Sequence, residues 1–166
     1  MRTFRFGKVI VIVTMLFFLG ACQGRAMEIG ATAADFSIGD IDYNKFSLAE
    51  YKGKVIILNF FATWCPPCRA EIPDFIDLQT EYAPKGVTFI GVSNEGVGLL
   101  RGFGAKMGIN YPLLSDTEKK AMTRYGPIRG VPTTYIIGKD FKIARVYIGA
   151  RSREVIEKDI KDLLSE

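Results

Sequence analysis

Phe60-Phe61-Ala62-Thr63-Trp64-Cys65-Pro66-Pro67-Cys68 is the stretch that decides how this chain folds. Leading into it, Val55-Ile-Ile-Leu-Asn-Phe-Phe is nearly all apolar and rich in β-branched residues, as a central strand buried on both faces should be. Leading out of it, Pro66 and Pro67 suit the first turn of a helix, which Ile72, Phe75, Ile76 and Leu78 carry on as a buried stripe to Tyr82. Pro73 should kink that helix. A cysteine at a strand-to-helix junction stands at the positive end of the helix dipole. Unpaired backbone N–H groups and the dipole stabilise its thiolate, so its pKa falls. Cys68 follows one turn on, facing the same way. Cys65 is therefore the expected nucleophile, forming a mixed disulfide that Cys68 resolves.

Two other readings compete for the pair. A zinc site needs four ligands, and the chain has no histidine and only three cysteines. Two bystander thiols, or a structural staple, fit poorly, because closing so short a loop restricts the unfolded chain little. Reactivity explains the spacing best.

Working outward, Phe36-Ser-Ile and Phe46-Ser-Leu read as short strands around a turn at Asp40 to Asn44, with a helical turn at Leu48 to Tyr51. Val87 to Val92 is a second buried strand. Helices are expected over Val97 to Met107 and Thr117 to Tyr125, then strands at Thr133 to Ile137 and Lys142 to Tyr147. Ser152 is placed to cap a closing helix to Leu164, with Val155, Ile156, Ile160 and Leu163 inward. The order β, β, β, α, β, α, α, β, β, α is an α/β sandwich with a mixed central sheet.

The first residues read differently. Arg2, Arg5 and Lys8 precede an apolar run from Val9 to Leu19, broken only by Thr14, and small residues follow. That is the pattern of an export signal, too short for a spanning helix of about 20 residues. Leu19-Gly20-Ala21-Cys22 resembles the lipobox of bacterial lipoproteins. The resemblance implies a signal peptide over 1–21, lipidation at Cys22, a tether over 22–26 and one domain over 27–166. An ordinary cleaved signal or an uncleaved anchor is the bland alternative. Residues 1–21 hold 3 of the 22 basic residues and no acid, leaving 19 basic against 18 acidic side chains. No basic excess calls for nucleic acid.

Phe61-Ala-Thr-Trp-Cys-Pro-Pro-Cys-Arg-Ala-Glu-Ile-Pro73 resembles the active site of the TlpA/ResA-like branch of the thioredoxin superfamily. The likeness extends to Gly30 to Phe36, Ser47-Leu48, Lys52-Gly53-Lys54, Val92-Ser93 and Gly130-Val131-Pro132-Thr133-Thr134. It implies a thioredoxin-like fold with an N-terminal strand extension and a central helical insertion at Asn94 to Arg129. It also assigns roles. Val131-Pro132 would be the cis-proline loop facing the cysteines, its backbone free to pair with a substrate strand. Against this stands a trans proline that only starts a strand. Glu71 would be a carboxyl of raised pKa taking the proton of Cys68, against a solvated first-turn glutamate. Trp64 would shield the disulfide and touch partners, where packing alone is the alternative. Asn59 stands where ordinary thioredoxins carry a buried aspartate, and an amide cannot titrate.

The function expected from the resemblance is extracytoplasmic thiol–disulfide exchange. A lipid-anchored monomer would reduce exported disulfide proteins, apocytochrome c among them, with electrons from a membrane thiol donor. It would need no metal and no cofactor beyond the Cys65–Cys68 disulfide. The alternatives are a disulfide oxidase or isomerase, a peroxiredoxin-like peroxidase and a copper-delivery module. Peroxidases want Thr or Ser where Ala62 stands, and copper carriers use CxxxC with a histidine.

Overall fold

The computed structural model describes residues 27–166. Cys22, and with it the expected signal and tether segments, lies outside the described residues. The chain enters through an antiparallel hairpin, β1 (Ser37–Gly39) and β2 (Lys45–Ser47). A parallel crossover follows: β3 (Val55–Phe60), helix α1 (Pro66–Tyr82) and β4 (Val87–Ser93). The central segment holds α2 (Val97–Met107), β5 (Leu113–Ser115) and α3 (Lys120–Arg124). The antiparallel pair β6 (Thr133–Ile137) and β7 (Ile143–Ile148) and the helix α4 (Arg153–Ser165) close the fold. The main sheet runs β5-β4-β3-β6-β7, parallel between β3, β4 and β5 and antiparallel beyond β3. This is the mixed, helix-flanked sheet of a thioredoxin-like fold.

Every residue of β3 is buried, and its period of two sorts them between two cores. Ile56, Leu58 and Phe60 join Phe36, Phe46, Leu48, Tyr125 and Tyr135 on the hairpin side. Val55 and Ile57 join Phe75, Leu78, Phe89, Ile156 and Ile160 on the side of α1 and α4. By the same alternation Asn59 points toward α1. A third cluster under the start of α1 gathers Phe61, Ala62, Cys65, Cys68, Leu100 and Leu113. Gly104 lets α2 settle on it, since a Cβ there would come within 2.8 Å of Leu113 Cδ1.

The structure departs from the expected elements at β5, the start of α3, Ser152 and Val155, while α1 keeps its expected bounds. The short strand β5 went unforeseen, because three residues after Pro112 carry too little pattern to register. The helix expected from Thr117 starts only at Lys120, because Lys119 sits in the left-handed region at φ 55°, where a helix cannot pass. Helix α1 runs on through Pro73 to Tyr82. Ser152 occupies the N-cap position of α4 in extended backbone, but its hydroxyl makes no capping bond. Val155 is 38% exposed, whereas Ile156, Ile160 and Leu163 face the core as expected.

Candidate active site

Cys65 is the N-cap residue of α1, in extended backbone, and its Sγ accepts the N–H of Cys68 at 3.3 Å. Residues 65 and 68 are joined as a disulfide with their Cα atoms 5.3 Å apart. Reduction would leave the Cys65 sulfur as a thiolate held by that N–H and by the helix dipole. Across the fold, the Val131–Pro132 peptide bond is cis, and the Val131 carbonyl oxygen lies 3.6 Å from Cys65 Sγ. The loop named from the sequence thus meets the Cys65 sulfur directly. Trp64, one residue earlier, is 72% exposed and stands at the rim. It is not a packing tryptophan.

The other sulfur faces inward. Glu71 lies one helical turn beyond Cys68 and is only 5% exposed. Asn59, on the α1 side of β3, donates through Nδ2 to Glu71 Oε1 and to Thr134 Oγ1, each at 2.9 Å. Burial pushes the Glu71 carboxyl up to about 7, while the Asn59 amide, the Arg151 backbone N–H and the Arg151 guanidinium pull it down in part. Desolvation wins because the charged form loses water that two or three polar neighbours do not replace. Glu71 is therefore a buried acid, not a solvated first-turn glutamate. Asn59 holds it rather than sharing its proton.

A further carboxylate was not foreseen. Glu95 follows β4 and grips the loop before Cys65. Its Oε2 accepts Thr63 N–H at 2.8 Å and Ser93 Oγ–H at 2.9 Å, and its Oε1 accepts Thr63 Oγ–H at 2.7 Å. The signal available in the sequence was positional: Ser93-Asn94-Glu95 lies at the carboxyl end of a buried parallel strand, where α/β folds assemble their sites. Beside this loop runs a cavity of about 710 Å³ lined by Phe61, Ala62, Trp64, Asn94, Val131 and, from the segment around α3, Lys119, Met122, Thr123, Gly126, Pro127, Ile128, Arg129 and Gly130.

A buried dithiol pair at a helix start, a cis-proline loop against it and an acid behind it invite comparison with known proteins. The AhpC/TSA family matches residues 29–146. This chain belongs to the AhpC/TSA family. Within reach of it, the thiol–disulfide oxidoreductase ResA of Bacillus anthracis is 33% identical over 138 residues, 82% of this chain and 79% of that protein. ResA of Halalkalibacterium halodurans is also 33% identical, over 143 residues, covering 86% and 79%. A thioredoxin-family thiol:disulfide interchange protein from Chlorobium tepidum TLS superposes with a TM-score of 0.74 at 36% identity, covering 84% of this chain and 97% of that one. Among AhpC/TSA proteins this one is an enzyme of thiol–disulfide exchange, with Cys65 and Cys68 at disulfide distance. The structure brings Trp64, Cys65, Cys68, Glu71, Val131 and Pro132 to one place, and Cys22 alone of the expected residues lies outside the described part.

Proposed function

We propose that this protein is a reductant of disulfides in exported proteins, apocytochrome c among the candidate clients, anchored to a membrane by lipid on Cys22 and recharged by a membrane thiol donor. The observation that carries the direction of flow is buried Glu71. A disulfide is strongly oxidising when its reduced form is stabilised as thiolate. A carboxyl behind Cys68 works the other way: once ionised, it repels a neighbouring thiolate and leaves less to be gained by reduction.

The exchange then follows from the chain's own groups. Cys65 Sγ⁻ attacks a client sulfur, the client's S–S bond breaks, and the departing client sulfur leaves as thiolate or takes up a proton. Glu71, ionised, accepts the proton of Cys68 as that sulfur attacks Cys65 Sγ. The mixed disulfide breaks, the client leaves reduced, and Cys65–Cys68 is oxidised. Two electrons pass from the Cys65–Cys68 dithiol to the client's sulfur pair, and no cofactor is required. The Val131 backbone would align the client as an added strand.

Oxidase or isomerase chemistry would use the same sulfurs, so the test is the midpoint potential of the pair against dithiothreitol or glutathione buffers. A value near or below about −250 mV supports a reductant, and one near about −120 mV makes it an oxidase. A peroxidase fits less well, because Ala62 offers no hydroxyl to a peroxide.

A further inference from the structure

The cavity beside Cys65 has a charge as well as a shape. Its walls are apolar at Phe61, Trp64, Met122, Ile128 and Val131, and its lining includes two cations, Lys119 and Arg129, and no carboxylate. The acids nearest in sequence lie outside the lining. Glu95 is committed to Thr63 and Ser93. Asp116 is buried and accepts Met122 N–H through Oδ2 at 2.9 Å. Glu118 is paired with Lys120 at 2.7 Å, outside the lining. Among the described residues, neither Lys119 nor Arg129 has a carboxylate within ion-pair distance. Lys119 is also held in left-handed backbone, its N–H on the Asp116 carbonyl at 2.8 Å. A non-glycine residue at positive φ is costly and persists where its surroundings fix it.

Two exposed cations at the rim of an apolar trough, with no carboxylate in its lining, select by charge. Exposed cations attract a nearby carboxylate and repel like charges, an effect that salt screens. Trp64, next to Cys65 in the chain, and Val131, whose carbonyl lies 3.6 Å from Cys65 Sγ, both line the trough, so chain continuous with a client cysteine at Cys65 can enter it. We infer that the cavity is a client-specificity site for an extended segment that carries aspartate or glutamate among apolar residues next to the cysteine being reduced. This rests on the reductant reading above and adds which clients are preferred.

The test uses the full-length reduced protein and two disulfide-bonded peptides of one apolar sequence, bearing either glutamates or lysines beside the cysteine. The acidic peptide should be reduced with kcat/KM about tenfold above the basic one at low salt, and the gap should shrink toward one in about 1 M salt. Lys119→Glu with Arg129→Glu should invert the preference. Lys119→Gln with Arg129→Gln, a milder pair, should abolish it. Equal rates for both peptides with the unaltered protein, or a preference untouched by either double variant, would overturn the inference while the reductant reading stands. If neither peptide is reduced although the potential is low, the reductant reading falls and this inference with it.

Discussion

Cys65 and Cys68 share one turn of helix and one disulfide, yet their surroundings are opposite. Cys65 looks outward: it is 3% exposed, it touches the Val131 carbonyl, and Trp64 and the basic-rimmed trough lie beside it. Cys68 is 0% exposed and looks into the sheet, toward a carboxyl that burial keeps half-protonated near neutral pH. The contrast divides the labour. In the function proposed, the outer sulfur would meet partners through backbone and shape, whereas the inner one would need only a proton acceptor. A symmetrical pair would leave the mixed disulfide with no preferred exit.

The contrast breaks most sharply at the sulfurs themselves. Cys65→Ser should abolish reduction of any client, because Cys68, the other cysteine among the described residues, is fully buried. Cys68→Ser should instead accumulate mixed disulfides through Cys65, visible as partner-linked bands on non-reducing gels and absent in the double variant. Recovery of no linked partner by a folded, exported Cys68→Ser protein would refute the division.

Glu71 gives the next largest effect. Its folded value of about 7 lies above the ordinary 4.5, so the native state holds the extra proton over that interval. Stability is then fully present below about pH 4.5 and is lost as pH rises through about 7, a difference on the order of 3 kcal/mol. Glu71→Gln should flatten this slope in urea melts across pH 5 to about 8. The same variant should slow release of the mixed disulfide about a hundredfold at about pH 8 and remove the rise in rate through neutrality. Arg151 and Asn59, which favour the ionised form, should act in the reverse sense when removed: Arg151→Gln or Asn59→Leu moves the limb to higher pH. A rate profile of Glu71→Gln that keeps its limb near neutrality would assign that limb to a group other than Glu71, and not to Tyr111, whose hydroxyl burial raises above its ordinary range.

The outer and inner halves also differ in how legible they were. The inner half was nearly all readable: a continuous apolar strand, a cysteine pair at a helix start and a glutamate at helical spacing are local patterns. Asn59 was singled out only as an amide in an aspartate's place, and its bond to Thr134 rests on the β3–β6 pairing, which no local pattern reveals. Much of the outer half was not readable. Glu95 reaches Thr63 across 32 positions, and Lys119 joins Trp64 only because α3 folds against the sheet. Such contacts depend on tertiary packing, and Lys119 in left-handed backbone defeats helix propensity outright. The strand β5 failed for lack of length, and Val155 for lying at the margin of the apolar stripe.

Glu95 ties the halves together, and its removal should act on the outer one. Glu95→Ala strands the Thr63 N–H and two hydroxyls, at a cost of about 2 kcal/mol, and frees the loop that presents Cys65. Client turnover should fall about tenfold, mostly in kcat, as expected of misplaced reacting groups. Glu95→Gln, which still accepts through one oxygen, should recover part of both losses. A loss of stability alone, with turnover and thiol pKa of Cys65 unmoved, would reduce Glu95 to a structural brace.

Trp64 should show the smallest change, and the most specific one. A side chain 72% exposed contributes little to folding, so Trp64→Ala should alter stability by no more than about 0.5 kcal/mol. An exposed indole beside the nucleophile is instead suited to cover a client's apolar surface, where aromatic anchors typically contribute more than 1 kcal/mol. The expected result is a rise in KM for protein clients of about fivefold with kcat nearly held, since the sulfur, its helix start and Glu71 are untouched. A fall in kcat with KM constant would place the indole on the reacting sulfurs rather than on the partner. The outer half of the site would then take part in the chemistry as well as in recognition.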